Sequence, residues 1–427
     1  KAPVPGANIH LHIDRQLQLF AYDLLEGKKG AIVAIEPETG GILAMVSRPS
    51  YDPNLYVSGF PAVLYNALRD SPDKPFLNRA IRGQYPPAST LKPFIGLAGI
   101  ADEESQLFSV NAQTDLTDMF ADSYLRTQVI AAQTNAGQNW TAAVYPLAAG
   151  EDLNAAIDKA NEVQSFEMIV LCAEQTTAEV ITDFHAHLFS FQAKLGRFVS
   201  GLVALPGIDA GTQTWVQYEA AMVALQNGIG AHLLVAVPQL HGNNVGVLAG
   251  RLCNRSVSIA DSPMRVATGS LFGLGTAPVD SDNEPLSLAT LNTLATNRLS
   301  VPQWYADFDG VYWSDASTLD ADGGDYQYLE HLRAVHKTSR RVRVLAIQRV
   351  ANRSLNSTPN SIELNKNYFM KPLREMSKST TILGVVFPGE ISAPKDGDIS
   401  IVWPTKKSVI IYMVVRPYNN PKEITVN

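Results

Sequence analysis

Ser89-Thr-Leu-Lys92 combines a hydroxyl and an amine at a spacing that suits nucleophilic catalysis. At the start of a helix, residues three apart lie on one face, so the Lys92 amine reaches the Ser89 hydroxyl. A neutral amine can take the serine proton, while the helix N-terminus stabilises the negative charge that develops. The chemistry would be attack by the Ser89 oxygen after the Lys92 amine has taken its proton. A four-residue pattern is weak by itself, because a capping serine followed by a solvated lysine reads the same way.

The elements around the pair must hold it. Residues 83–94 read as a loop leading into a helix. Ahead of them lies a small α+β segment. It has a short strand, Ile9–Ile13, a helix over Arg15–Leu25 with Gly27 as C-cap, and two apolar strands, Ala31–Ile35 and Ile42–Val46, joined by a hairpin at Glu36–Gly41. Beyond residue 100, helical patterns at Leu153–Val163, Thr177–Leu195, Tyr218–Asn227 and Asn243–Cys253 alternate with apolar runs at Phe166–Cys172, Arg197–Leu205 and His232–Val237. Such runs belong to strands buried on both faces, so the middle of the chain is a mostly parallel α/β sheet domain with helices on both sides. A basic helical stretch, Leu329–Arg353, precedes C-terminal mixed strands at Thr381–Phe387, Ile399–Trp403 and Ser408–Pro417. The fold class is therefore α/β and α+β in a multidomain chain.

The 427 residues exceed one ordinary domain, and 46% hydrophobic against 18% charged residues allows large cores and excludes general disorder. A net charge of −7 excludes a sequence-independent nucleic-acid binder, which needs a basic surface. The balance changes along the chain. Residues 1–100 carry ten Lys/Arg and eight Asp/Glu, whereas 101–427 carry 24 and 33, and the change falls at Ala101-Asp-Glu-Glu104. Cys172 and Cys253 are too few for a disulfide framework or zinc site and read as buried small hydrophobes. No apolar run approaches the ~20 residues of a membrane span. The chain opens at Lys1 without Met, which leaves room for an upstream segment.

Ile13-Asp-Arg-Gln-Leu-Gln18, the stretch Ala34–Ala44, Pro49-Ser-Tyr-Asp-Pro-Asn54, Asn78-Arg-Ala80 and Tyr85-Pro-Pro-Ala-Ser-Thr-Leu-Lys-Pro-Phe94 carry a resemblance. Residues 1–100 closely resemble the start of the transpeptidase domain of class B penicillin-binding proteins of the elongation type. The resemblance implies that Ser89 is acylated with Lys92 as base, and that peptidoglycan stem peptides are cross-linked at the periplasmic face of the inner membrane. β-Lactams would act as suicide acyl donors. The family site also needs S-x-N and K-T-G elements. Ser281-Asp-Asn283 lies 192 residues after Ser89, much farther than the family places it. Lys337-Thr-Ser339 lacks the glycine and sits in the basic helical stretch. Neither is assigned to the site, which is therefore incomplete.

Residues 101–427 hold no catalytic constellation. His185 and His187 lie in a helical stretch where i and i+2 diverge, and read as helix-surface histidines. Asp307, Asp309, Asp315, Asp320, Asp322 and Asp325 lack calcium-loop spacing and read as a solvated loop turned by Gly323-Gly324. Gly246, Gly250 and Arg251 do not form a phosphate cradle. No metal and no cofactor is expected.

Gln138–Ala143, Pro238–Asn243, Gly250–Pro263, Val301–Asp315, Gln348–Arg353 and Arg416–Tyr418 carry a second resemblance, to the tail-sheath proteins of contractile phage tails in the Mu-like and prophage branch. It implies a structural subunit that self-associates in a helical sheath around tail-tube proteins. Its place would be the virion tail, and the host cytoplasm during assembly, with no nucleic-acid partner. The basic residues Arg333, Lys337, Arg340, Arg341 and Arg343 against an acidic body suit head-to-tail packing. Val409–Val415 with the tail Arg416–Pro421 would be an arm that extends a neighbour's sheet. Three domains are expected: 1–100, an incomplete transpeptidase-like segment; 101–265, an α/β sheath-like domain; and 266–427, a C-terminal sheath-like domain with the arm. The junction at Ile100/Ala101 marks a chimera. In this reading the sheath part has lost its family's N-terminal portion and stays a monomer or small oligomer, with Val409–Val415 either folded back on its own sheet or left as an exposed edge.

Overall fold

The computed structural model describes residues 11–36, 39–57, 59–82, 94–98, 106–138, 140–148 and 150–423. The chain divides into two compact units, 1–88 and 89–427.

In the first unit, Asp14 caps α1 (Arg15–Leu24) by accepting from the N–H groups of Gln16 and Leu17. Gly27, at φ 67°, turns the chain toward β1 (Gly30–Ile35), which pairs antiparallel with β2 (Ile42–Arg48) through the expected hairpin. The Gln18 side chain ties α1 to β2, donating to the Met45 carbonyl at 3.0 Å and accepting from its N–H at 2.7 Å. Two further helices, α2 (Ala62–Asp70) and α3 (Arg79–Arg82), come next. Ile9 and His10 of the expected first strand lie outside the described residues, and Leu11–Ile13 are irregular, with no described strand to pair with. Among the described residues of this unit the buried hydrophobics are Ala21, Ala44 and Val46, while Phe20 and Ile35 remain 61% and 57% exposed.

The second unit is built on a six-stranded sheet. In chain order its elements are β3 (Phe94–Ala98), β4 (Phe108–Asn111), α4 (Leu116–Met119), α5 (Tyr124–Ala136), β5 (Thr141–Pro146), α6 (Leu153–Val163), β6 (Met168–Leu171), α7 (Ala178–Leu195), β7 (Ser200–Leu205), α8 (Trp215–Gln226), β8 (Leu234–Pro238) and α9 (Asn244–Cys253). The strand order is β4-β5-β3-β6-β7-β8, parallel except for the antiparallel edge strand β4. The apolar runs at 166–172, 197–205 and 232–237 are strands, as expected, and β6, β7 and β8 are buried along their whole length. One expectation is corrected. The chain after Pro93 forms not a helix but β3, between β5 and β6 in the middle of the sheet. Pairing on both edges outweighs the local pattern.

Beyond α9 come α10 (Leu288–Thr296), the hairpin β9 (Pro302–Tyr305) and β10 (Phe308–Trp313), and α11 (Leu329–Ile347). Next is α12 (Pro359–Met376), then the hairpin β11 (Thr380–Ile382) and β12 (Val385–Phe387), and the hairpin β13 (Ile399–Thr405) and β14 (Ser408–Met413). The expected single strand 381–387 is thus two strands, turned at Leu383 and Gly384, whose φ angles are 48° and 85°. α11 ends at Ile347, short of the expected Arg353, and Ala351 takes a left-handed φ of 57° before α12. A second core, including Val342, Phe369, Leu373, Ile399 and Ile401, joins α11 and α12 to the last hairpin.

Candidate functional site

Ser89 and Lys92 lie outside the described residues. Downstream of them β3 opens at Phe94. The two motif-like sequences have other roles. Ser281 donates its N–H to the Gln213 carbonyl at 2.9 Å, and Asn283, at φ 62°, turns the loop around Asp280. The Asp280 carboxylate accepts from the N–H groups of Trp215, Asp282 and Glu284. Lys337 is on α11 and pairs with Glu390 at 2.6 Å, while the Thr338 hydroxyl donates to the Ala334 carbonyl at 2.8 Å inside the core. Both are parts of the scaffold.

The remaining candidates are structural as well. His187 on α7 pairs with Asp158 at 3.0 Å. His185 packs its ring against His232 and Phe189, and burial lowers its pKa to about 4, so it is neutral. Asp315 pairs with Lys422, and Asp320 accepts from the N–H groups of Ala321 and Tyr326 within its own turn. Among the described residues no group of three or more His, Cys, Asp or Glu could hold a metal ion. Cys172 is fully buried, which pushes its thiol up to about 12. Among the described residues no helix is long and apolar enough to cross a membrane.

What the side chains build instead is a set of internal joints. Gly246 and Gly250 on α9 lie one turn apart against α5, where a methyl group at either would fall 2.9 Å from the Cα of Gln128 or Ala132. The Gln128 side chain completes this joint, accepting from the Gly246 N–H at 3.0 Å and donating to the Gly242 carbonyl at 2.7 Å. The G-x-x-x-G spacing was the available signal, but only as a packing face.

The second joint corrects the expectation that the basic helix faces a neighbour. Arg333 and Arg340 of α11 reach buried Glu167 at 3.5 and 3.3 Å, and Arg340 also donates to the Phe198 carbonyl at 3.0 Å. Arg341 lies 3.9 Å from Glu375, and the Arg343 side chain packs on Gly196. Between the arginines, His336 is buried, and burial, helped by the Arg340 charge, lowers its pKa to about 3. These cations fasten α11 to its own chain.

The C-terminal tail is likewise held by its own body. β14 pairs with β13, and Arg416 makes a two-pronged contact with Asp398 at 2.6 and 2.8 Å, which holds the Asp398 carboxyl below its ordinary range. Asn420 donates to the Ala260 carbonyl at 2.8 Å. Lys422 bridges Asp315 at 2.6 Å and buried Glu330 at 2.5 Å. The segment that the resemblance implied as an arm is folded back on its own sheet, one of the two states expected of it in this chain.

Residues 82–317 match the family model described as DUF2586, N-terminal domain, and 325–427 match its C-terminal domain. The chain is also 44% identical over 380 residues to the protein assigned as the tail sheath protein of Haemophilus phage HP1, covering 86% of this chain and 97% of that relative. The chain belongs to the tail sheath protein family.

The chain shares its fold with the sheath tail protein of Listeria innocua, at a TM-score of 0.53 and 11% identity, covering 77% of this chain and 92% of that one. Its N-terminal part carries a different signature. Residues 30–133 match the penicillin binding protein transpeptidase domain, and 110 residues are 46% identical to the peptidoglycan D,D-transpeptidase MrdA of Escherichia coli K12. That alignment covers 25% of this chain and 17% of the relative, so the chain spans a small part of that relative's length. The two family matches overlap from residue 82 to residue 133. The chimeric character read from the sequence stands. The expected loss of the sheath family's N-terminal portion does not, because the alignment takes in nearly all of the phage HP1 protein.

Proposed function

We propose that the chain is a subunit of a contractile phage-type tail sheath, self-associating in a helical array in the virion tail around tail-tube proteins. The observation that carries this reading is the alignment with 97% of the phage HP1 protein. The division of labour within the subunit rests on β3. With Phe94–Ala98 in the sheet, we place the start of the sheath body between Arg82 and Phe94, ahead of the Ile100/Ala101 junction read from the sequence. The body runs to about residue 325, and a C-terminal module completes the chain. High-speed pelleting of purified protein tests the reading: assembled material sediments, and isolated chains stay in the supernatant.

The second reading, a D,D-transpeptidase acylated at Ser89 with Lys92 as base, draws on the N-terminal match alone. The overlap of that match with the sheath family from residue 82 counts against it, as does the use of both motif-like sequences as scaffold. Labelling with a fluorescent penicillin discriminates between the two.

A further inference from the structure

Resting on the sheath reading, we propose that the outer face of the β13–β14 hairpin of one subunit seats on the carboxyl edge of the parallel sheet of the next. The occupant is therefore a second copy of this chain, joined head to tail.

Charge separates the two modules sharply. Residues 101–324 carry 8 Lys/Arg against 25 Asp/Glu, net −17, while residues 325–427 carry 16 against 8, net +8. Within one subunit the basic module docks on the amino edge of the sheet. Arg333 and Arg340 meet Glu167, which directly precedes β6, and Arg340 meets the Phe198 carbonyl just before β7. The loops that leave β6 and β7 emerge at the opposite edge. There Glu174, Glu179 and Asp209 are exposed, and Asp282 and Glu284 join them because their turn packs on the start of α8. Apolar side chains lie among these carboxylates: Val216 is 75% exposed, Val279 38% and Val180 36%.

The carboxyl edge of an open parallel sheet is where such folds bind ligands, commonly anions held by helix N-termini. Here the acidic side chains exclude an anion and select a cationic partner. The two edges are separated by strands of four to six residues, about 13–20 Å, which exceeds the ~8 Å screening length at physiological salt. The basic module therefore leaves the acidic edge of its own sheet largely uncompensated.

The hairpin has the matching character. Val402 lies opposite Ile410 and Ser400 opposite Tyr412, so Val402, Ile410 and Tyr412 share one face, and they are 43%, 42% and 56% exposed. The other face, with Ile399 and Ile401, is in the second core. Lys406 and Lys407 stand exposed at the tip. An apolar centre rimmed by one charge, facing an apolar centre rimmed by the other, is the arrangement of specific protein interfaces. Because the two surfaces differ and lie on different modules, the contact repeats from copy to copy and generates a filament or ring.

Two double charge reversals in the full chain test this, Lys406→Glu with Lys407→Glu, and Glu179→Lys with Glu284→Lys. Self-association is followed by sedimentation velocity across a salt series. Wild-type association should weaken with salt, and each double variant should associate at least about tenfold more weakly than wild type. An equimolar mixture of the two variants should regain association, which also shows that both are folded. Wild-type chains that associate while both variants match them overturn the contact alone. Variants that are weakened but do not recover on mixing overturn this pairing of surfaces. Wild-type chains that stay monomeric at every salt concentration overturn the contact and the assembly reading together.

Discussion

Gly246 of α9 lies against the main chain of Gln128 in α5, where a methyl group at Gly246 would fall 2.9 Å from the Gln128 Cα and closer still to its carbonyl. The contact is backbone to backbone, so no side chain can move aside. Gly→Ala inside a helix normally stabilises by up to ~1 kcal/mol. At Gly246 the sign should reverse, with a loss of about 1–3 kcal/mol from the forced separation of the two helices. Chemical denaturation of Gly246→Ala, compared with an Ala substitution at an exposed helical position, measures it.

Glu167 is the shared counter-charge of Arg333 and Arg340. Its side chain and that of Arg333 are only 7% and 6% exposed, so neither charge is well solvated. Glu167→Gln keeps the shape and removes the charge. We expect a loss of about 3–5 kcal/mol in urea unfolding of the second unit, since breaking a buried pair strands the remaining charges.

His336 sets a pH dependence of definite sign. It faces Phe198, Arg340, Glu167 and His232, and burial holds it neutral, with a pKa of about 3. Above the unfolded value of 6.5 neither state binds the proton. Between 6.5 and about 3 the unfolded chain binds it and the folded chain does not, so stability falls as pH falls through that window and levels below it. The slope approaches about 1.4 kcal/mol per pH unit for this group. His185, lowered to about 4, adds to it in the same direction. Urea midpoints measured from about pH 7.5 to about pH 4.5 should fall more steeply in wild type than in His336→Gln.

The sheet was legible in the sequence because β6, β7 and β8 are buried on both sides and read as unbroken apolar runs. α5 was not. Leu125, Gln128, Val129, Ala131, Ala132, Asn135 and Ala136 are all buried, so polar and apolar residues alike face inward and no amphipathic period survives. β3 was hidden for another reason: its placement depends on β5 and β6, which lie about 45 and 70 residues farther along the chain. The basic composition of α11 was evident, but the direction of its charges was not. Glu167 is more than 160 residues away from Arg333 in sequence, and nothing local marks it as the partner. Ser89 and Lys92 stood out by spacing and by resemblance, and both lie outside the described residues.

The N-terminal segment carries a second consequence. With both motif-like sequences built into the scaffold, Ser89 has no assigned S-x-N or K-T-G partner. Incubation with a fluorescent penicillin, then denaturing electrophoresis, should show no stoichiometric labelling. A band that is lost in Ser89→Ala would instead establish an acylating serine.

A self-assembling sheath subunit should build regular helical assemblies at low salt that shorten or dissociate as salt rises. Electron microscopy of purified protein, imaged at low and at high salt, reads this out. Uniform particles of single-chain size under every condition would mean that the chain does not assemble as a sheath.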